Sequence, residues 1–307
     1  PVAHGGRLAT AGHVLGAAMI EIVISENSES RRFIFSGDIG RWDRPIIQDP
    51  TLFDQADYVL TESTYSERSL PAYEDLLKEF VGIVNDTVKA GGNLVIPSFA
   101  LERAQDILYY LCRALNTGLI KPINIYLDSP LAINITEIFE KHTDMFDDEM
   151  KELVKHHQDL FHCPGLSFVT ETEDSKKLNH LNEPSIIIAG SGMATGGRIK
   201  HHIANNISRP ESTIMFAGYQ AAGTLGREIV DQPEEVRILG NYFPVKARIM
   251  QMHGFSSHAD KDQLLRWNYH FKQPPRHIFV VHGEEASATY LAETIRFVDY
   301  NEYYWSR

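Results

Sequence analysis

Runs of apolar residues alternate with amphipathic stretches along most of this chain. "AMIEIVI" and "RRFIFSG" (31–37) flank the polar turn "SENSES" and predict a β-hairpin. "DYVLTES" (57–63) reads as a further strand. "YEDLLKEFVGIVNDTVKAGG" has helical spacing and stops at Gly91-Gly92. "NLVIPS" (93–98) is short and fully apolar, as a buried strand is, and the helical pattern "LERAQDILYYLCRAL" follows it. "INIYLDS" (123–129) opens another strand–helix unit, and the charged stretch 137–160 reads as helical. "PSIIIAGSG" (184–192) and "STIMFAGY" (212–219) are strands, and a short helix follows "GTLGREI". The chain then gives "VKARIMQM", "GFSSHADKDQLLRW", "HIFVVHGEE" and a last helix. Strands alternating with helices predict α/β layers around a largely parallel sheet. A length of 307 residues predicts two domains.

Composition adds constraints. The hydrophobic content of 43% and charged content of 23% suit an ordinary globular chain. No apolar run reaches the roughly 18–20 residues that span a bilayer, so no membrane partner is expected. The net charge of -12 does not attract polyanions, so nucleic-acid binding would need a local basic groove or bound cations. Cys112 and Cys163 form no CxxC pair and are expected to form no disulfide, which favours a reducing, cytoplasmic setting. Histidine is plentiful at 14 residues, a first hint of metal chemistry.

Candidate chemistry lies at the ends of strands. His13 stands in a glycine-rich turn before a strand, Asp38 follows "FIFSG", His258 follows "IMQMHGFSS" and His282 follows "IFVV". Any one of them is equally a turn residue or a satisfied core histidine. Together they form an N/O donor set suited to zinc or manganese. Asp38 sits between glycines off a stiff strand, where it is either an Asx-turn residue or a carboxylate that can bridge two metals. Glu62 in "LTESTY" is a surface ion-pair or capping residue, or else orients a histidine. His258 precedes an amphipathic helix with Leu264, Leu265 and Trp267 on its apolar positions, capped by Asp260 or Ser257. Histidine there can donate a proton to a leaving alkoxide.

"IIIAGSGMATGGRIKHH" offers backbone N–H groups of the kind that cradle phosphates. It is no Walker A loop. As a dinucleotide loop it would need an acidic residue ending the next strand, which instead ends in Gly218-Tyr219-Gln220, with Glu211 at the wrong end. A phosphate-backbone site with Arg198 and Lys200 nearby fits better, and Ser191, Arg198 and Arg103 are its candidate contacts. Arg103 in "ALERAQ" is equally placed for a structural ion pair.

In order along the chain, these motifs resemble the β-CASP branch of the metallo-β-lactamase fold. "AGHVLGAA" and "FSGDIGR" resemble two metal motifs of that fold, and "TESTY", "FSSHAD" and "VVHGE" resemble β-CASP motifs A, B and C. "IPSFALERAQDIL", "IYLDSPLA", "AGSGMATGGR" and "AGYQAAGTLGRE" resemble stretches of the inserted domain, so the likeness spans essentially the whole chain. The resemblance implies an α/β fold: a metallo-β-lactamase αββα sandwich from residues 1–66 and 250–307, with an α/β β-CASP domain inserted over 67–249. It implies a ribonuclease that hydrolyses phosphodiester bonds through a metal-bridging hydroxide. His13, Asp38 and His282 would hold two zinc ions, or manganese in their place, with Asp38 bridging. His258 would contact the scissile phosphate as the catalytic acid or by stabilising charge there, oriented by Glu62. Histidine in motif C, where DNA-acting members have valine, points to RNA, single-stranded rather than duplex. A homodimer is compatible with this reading. The family's HxHxDH motif should precede "AGHVLGAA" and is absent, so the metal set is expected to be incomplete; the sequence is either truncated upstream or a catalytically degraded relative, and the intact set His13, Asp38, Glu62, His258 and His282 argues for truncation. The competing readings are a non-catalytic subunit of an RNA-processing complex and a metallohydrolase acting on DNA or a small ester.

Overall fold

The structure is a computed structural model that describes residues 3–156, 159–181 and 183–297. The strands and helices follow in chain order. The first stretch gives β1 (Ala3–Thr10), β2 (Ala18–Glu26), β3 (Glu29–Phe35), β4 (Tyr58–Glu62), α1 (Tyr73–Ala90), β5 (Leu94–Pro97) and α2 (Arg103–Asn116). Next come β6 (Asn124–Asp128), α3 (Pro130–Lys141), α4 (Asp148–Lys155), β7 (Leu166–Phe168), α5 (Thr172–Lys177), β8 (Ser185–Ala189), α6 (Ile199–Asn206) and β9 (Thr213–Phe216). The chain closes with α7 (Leu225–Val230), β10 (Glu235–Ile238), β11 (Asn241–Pro244), β12 (Arg248–Gln251), α8 (Lys261–Asn268), β13 (His277–Val281) and α9 (Glu285–Phe297). No helix among the described residues is long and apolar enough to cross a membrane.

Two compact units emerge. The first takes the chain up to Leu70, the short piece Met145–Asp148 and the chain from Ser257 onward. Its sheet runs β1-β2-β3-β4-β13. The first three strands pair antiparallel, whereas β3, β4 and β13 run parallel. The hairpin between β2 and β3 turns on Asn27 and Ser28, both at positive φ (49° and 69°), the two-residue form that matches strand twist. Met19, Ile34 and Val59 bury one sheet face against Leu264 and Trp267 of α8. Each such side chain contributes about 1.5–3 kcal/mol by leaving water. Trp267 meets Phe53 and Phe271 edge-on, and its indole N–H donates to the Thr51 carbonyl at 3.0 Å. This unit supplies one β-layer and a helix layer of the expected sandwich.

The second unit spans Pro71–Asp144 and Glu149–Ser256. Its main sheet has six strands in the order β12-β9-β5-β8-β6-β7, all parallel, beside the antiparallel pair β10-β11. Strands β5, β8 and β9 are buried at every residue, as expected for a parallel sheet covered on both faces. α1 ends at Gly91 in the left-handed conformation (φ 80°), the stop that its sequence signals.

Three expectations change. The stretch 137–160 is broken: α3 ends at Lys141, a 3-10 turn covers Thr143–Met145, and α4 ends at Lys155. Residues 157–158 of that stretch lie outside the described residues. The β10–β11 hairpin was not expected from the sequence: its two strands are only four residues each, too short for their alternation to stand out. The cysteines are also corrected. Cys112 on α2 and Cys163 before β7 form a disulfide with their Cα atoms 5.2 Å apart. Their sequence separation of 51 hides the pairing, which the packing of α2 near the start of β7 creates.

Candidate metal centre

The parallel run β3-β4-β13 assembles the site in the first unit. Phe35 pairs with Leu60, and Val281 pairs with Glu62, so the C-terminal ends of the three strands share one edge. Asp38 lies three residues beyond β3, Glu62 is the last residue of β4 and His282 follows β13 directly. This is the strand edge where α/β folds place ligands. Two more segments reach it. Gly40 bridges to His258 and Tyr65 bridges to Asp260, which holds the segment before α8 against the strand ends. The Gly40 amide donates to the Ala11 carbonyl at 2.8 Å, which brings in the His13 loop.

The side chains converge. His282 Nδ1 lies 3.1 Å from Asp38 Oδ1, and His13 Nε2 lies 3.8 Å from Asp38 Oδ2. The rings of His13 and His258 are 4.3 Å apart between centroids, and those of His258 and His282 are 6.0 Å apart. Donor atoms of His13, Asp38 and His258 fall within 4.8 Å of one another, and so do those of Asp38, Glu62 and His282. Asp38 belongs to both groups. Imidazole nitrogens and carboxylate oxygens at this spacing form a donor set that suits zinc or manganese. The residues present therefore fit the implied metal.

Glu62 is fully buried at 1% exposure and spends both oxygens. It lies 3.0 and 3.2 Å from His258 Nδ1, and it accepts the Ile39 amide. Its own amide donates to Ser36 Oγ at 3.2 Å. A buried carboxylate held by the Ile39 amide, on a backbone tied to Ser36, fixes the His258 ring. Tyr65 meets that ring edge-on at 5.9 Å. α8 begins in a capping box in which Asp260 accepts the Gln263 amide and Gln263 accepts the Asp260 amide. Asp260, rather than Ser257, is thus the cap. Asp260 also accepts the Leu70 amide at 3.0 Å.

Sequence reasoning missed several supporting residues. Thr64 Oγ1 lies 3.3 Å from His282 Nδ1, and Ser36 holds the backbone of Glu62. Both sit within motifs already singled out, "TESTY" and "FSGDIG", so their neighbourhood was the available signal. His282 itself takes positive φ (47°), a strained setting that no pattern announces.

Ser191, Arg198 and Arg103 lie in the second unit. Ser191 Oγ accepts the amides of Thr195 (3.0 Å) and Gly196 (3.3 Å) and so shapes the loop after β8. Arg198 donates to Asp128 Oδ1 at 2.7 Å and to the carbonyls of Val169 and Thr170. Asp128 also meets His202 at 2.6 Å. Burial pushes its carboxyl up, but hydrogen bonds from His202, Ser175 and Arg198 outweigh burial and hold it below the usual carboxylate value. Arg103 is 8% exposed, 3.9 Å from Asp106 and stacked over the Phe255 ring at 5.8 Å.

Comparison with known proteins adds two family matches. Residues 104–229 match the Beta-Casp domain, and residues 242–305 match the Zn-dependent metallo-hydrolase RNA specificity domain. A ribonuclease of Thermus thermophilus is 38% identical over 285 residues, covering 93% of this chain and 64% of the relative. The transcription termination factor FttA of Methanocaldococcus jannaschii is 30% identical over 299 residues, covering 94% of this chain and 46% of the relative. An RNase J-like protein of the same organism is 29% identical, covering 93% of this chain and 65% of the relative. The chain thus spans about half to two-thirds of the length of these relatives.

Proposed function

The chain belongs to the β-CASP family of the metallo-β-lactamase fold, and from that premise we propose that it is the core of a zinc-dependent ribonuclease acting on single-stranded RNA. The observation that carries this reading is the convergence of His13, Asp38, Glu62, His258 and His282 on one strand edge. His13, Asp38 and His282 would hold the metal, with Asp38 shared between two ions. When bound, such ions polarise the phosphate and lower the pKa of water, which supplies the nucleophile at neutral pH.

The chain's own residues do the rest. Glu62 orients the His258 ring through Nδ1 and balances its positive charge while the ring carries a proton. The P–O3′ bond breaks, leaving a 3′-hydroxyl and a 5′-phosphate. Histidine at position 282 supports RNA over DNA, in keeping with the RNA specificity domain matched over that segment.

The test uses the protein as its gene encodes it, loaded with zinc or manganese, with His258→Ala as control. Wild type cleaves single-stranded RNA, and the control falls about 10²–10⁴-fold. Intact RNA after incubation with metal-loaded wild type would sink the nuclease reading and favour a non-catalytic subunit. Cleavage of DNA or a small ester that RNA does not inhibit would instead favour the other metallohydrolases.

A further inference from the structure

A cavity of about 400 Å³ opens in the second unit. It lies beyond the C-terminal ends of β5, β8 and β6, three neighbouring parallel strands. Ser98, Gly190 and Ser129, the residues that follow those strands, all line it. Its walls are Phe99, Ala100, Pro130 and Leu131, with the backbone of Gly196 and Gly197 opposite. The volume falls within the roughly 300–1,000 Å³ of small-ligand sites.

Two features of the lining are unusual. Phe99 is 46% exposed and Leu131 is 62% exposed, although both border a formed cavity. An exposed aromatic ring costs hydrophobic stabilisation unless something covers it. Its position is also held by design of the loop. A Cβ at Gly192 would come 2.6 Å from the Phe99 ring, so the glycine leaves the space that the ring occupies.

The cavity is poorly suited to phosphate. Asp128 stands in its wall, and the neighbouring cation Arg198 is committed to Asp128 and two carbonyls. Nor are the wall hydroxyls idle. Ser98 donates to the Phe99 carbonyl, Ser129 caps α3 by accepting the Ala132 amide, and Ser191 closes its own loop. An apolar slot with one ring face on offer and little polar readout suits a flat aromatic group of any sequence. The net charge of -12 sharpens this point, because phosphate contacts alone give such a chain little affinity for RNA.

We propose that this cavity is a nucleobase subsite, in which one unpaired base of the RNA leaves its neighbours and stacks on Phe99. The inference rests on the ribonuclease reading and assigns that substrate a contact outside the metal centre. Stacking is tolerant of base identity, so the subsite fixes where the strand is gripped rather than which sequence is chosen.

The experiment measures binding of short single-stranded oligoribonucleotides by fluorescence anisotropy, with His258→Ala as the background to prevent cleavage. One abasic residue is moved along the oligonucleotide. A single abasic position is expected to weaken binding about tenfold, the scale of one stacked base. Phe99→Ala weakens the intact oligonucleotide by a similar factor and abolishes the abasic effect. Phe99→Trp retains both affinity and discrimination. Leu131→Ser, at the exposed lip, weakens the intact oligonucleotide less and guards against a folding defect in Phe99→Ala. The slope of log Kd against log salt is the same in Phe99→Ala as in the background, because stacking releases no counterions. Phe99→Ala binding like the background, or an abasic effect that survives it, overturns the subsite. Uniform tolerance of abasic positions by protein that still cleaves RNA removes the subsite alone. Failure of wild type both to bind and to cleave RNA removes the subsite and the ribonuclease reading together.

Discussion

At the scale of single residues, the candidate centre is held together by side-chain pairs. His258 is held by Glu62, Glu62 by the Ile39 amide, and His282 by Asp38 and Thr64. Glu62→Gln keeps the shape but removes the charge that steadies His258. It is expected to lower kcat of the metal-loaded protein by about 10–100-fold with KM little changed, measured by steady-state cleavage. An unchanged kcat would remove Glu62 from the positioning role. The residue types at this centre were legible in the sequence, since "SGD", "TES", "SSH" and "VVHG" each end or follow a strand-like run. The hydrogen bonds were not. Thr64 carries no signature that separates a partner of His282 from an ordinary threonine.

At the scale of elements, the His13 loop and the Asp38 loop are pressed together backbone to backbone. A Cβ at Gly40 would lie 1.8 Å from the Gly12 carbonyl oxygen, and Gly12 itself takes positive φ (67°) beside Pro50. Gly40→Ala must therefore push the loops that carry His13 and Asp38 apart. It is expected to cost about 1–3 kcal/mol, read as a lower Tm, and to lower zinc content at equal free zinc. Gly82→Ala is the contrast: inside α1, with nothing within 4 Å of the added Cβ, it is expected to stabilise by about 0.5–1 kcal/mol. A Gly40→Ala protein with unchanged Tm would refute the close approach. The glycines of "AGHVLG" and "SGDIG" were visible as turn formers, but their mutual contact spans 28 positions and belongs to no local pattern.

At the scale of the whole molecule, each unit is organised around a parallel run of strands with polar groups at one edge. In the second unit that edge carries a buried ion pair instead of a metal set. Asp128 is fully buried, paired with the buried His202 and the partly exposed Arg198, and its lowered pKa links it to stability. A depressed carboxyl contributes above its unfolded value of 3.8 and loses that contribution as pH falls through the lower folded value. Asp128→Asn is expected to cost about 3 kcal/mol at neutral pH, the scale of a broken buried pair. The difference from wild type should hold constant down to about pH 4 and shrink below it, as followed by denaturant unfolding at a series of pH values. A difference that shrinks between pH 7 and 5 would assign the effect to another group.

The sequence by itself determined most of the strand–helix order, though not β1, β7 or the β10–β11 hairpin, together with the extents of α1 and α2 to within a few residues and the family, because these follow from local periodicity, stop signals and motif order. It also marked out Asp38, Glu62, His258 and His282 as strand-end chemistry. Tertiary structure alone decided how those residues meet, since parallel pairing of β3, β4 and β13 joins segments more than 200 residues apart. It likewise decided the Cys112–Cys163 bond, the commitment of Arg198 to Asp128 and the exposed ring of Phe99. The physical reason is common to all of these. Periodicity reports which face a residue turns to its own element, whereas ligation, pairing and cavity shape depend on neighbours that only chain folding supplies.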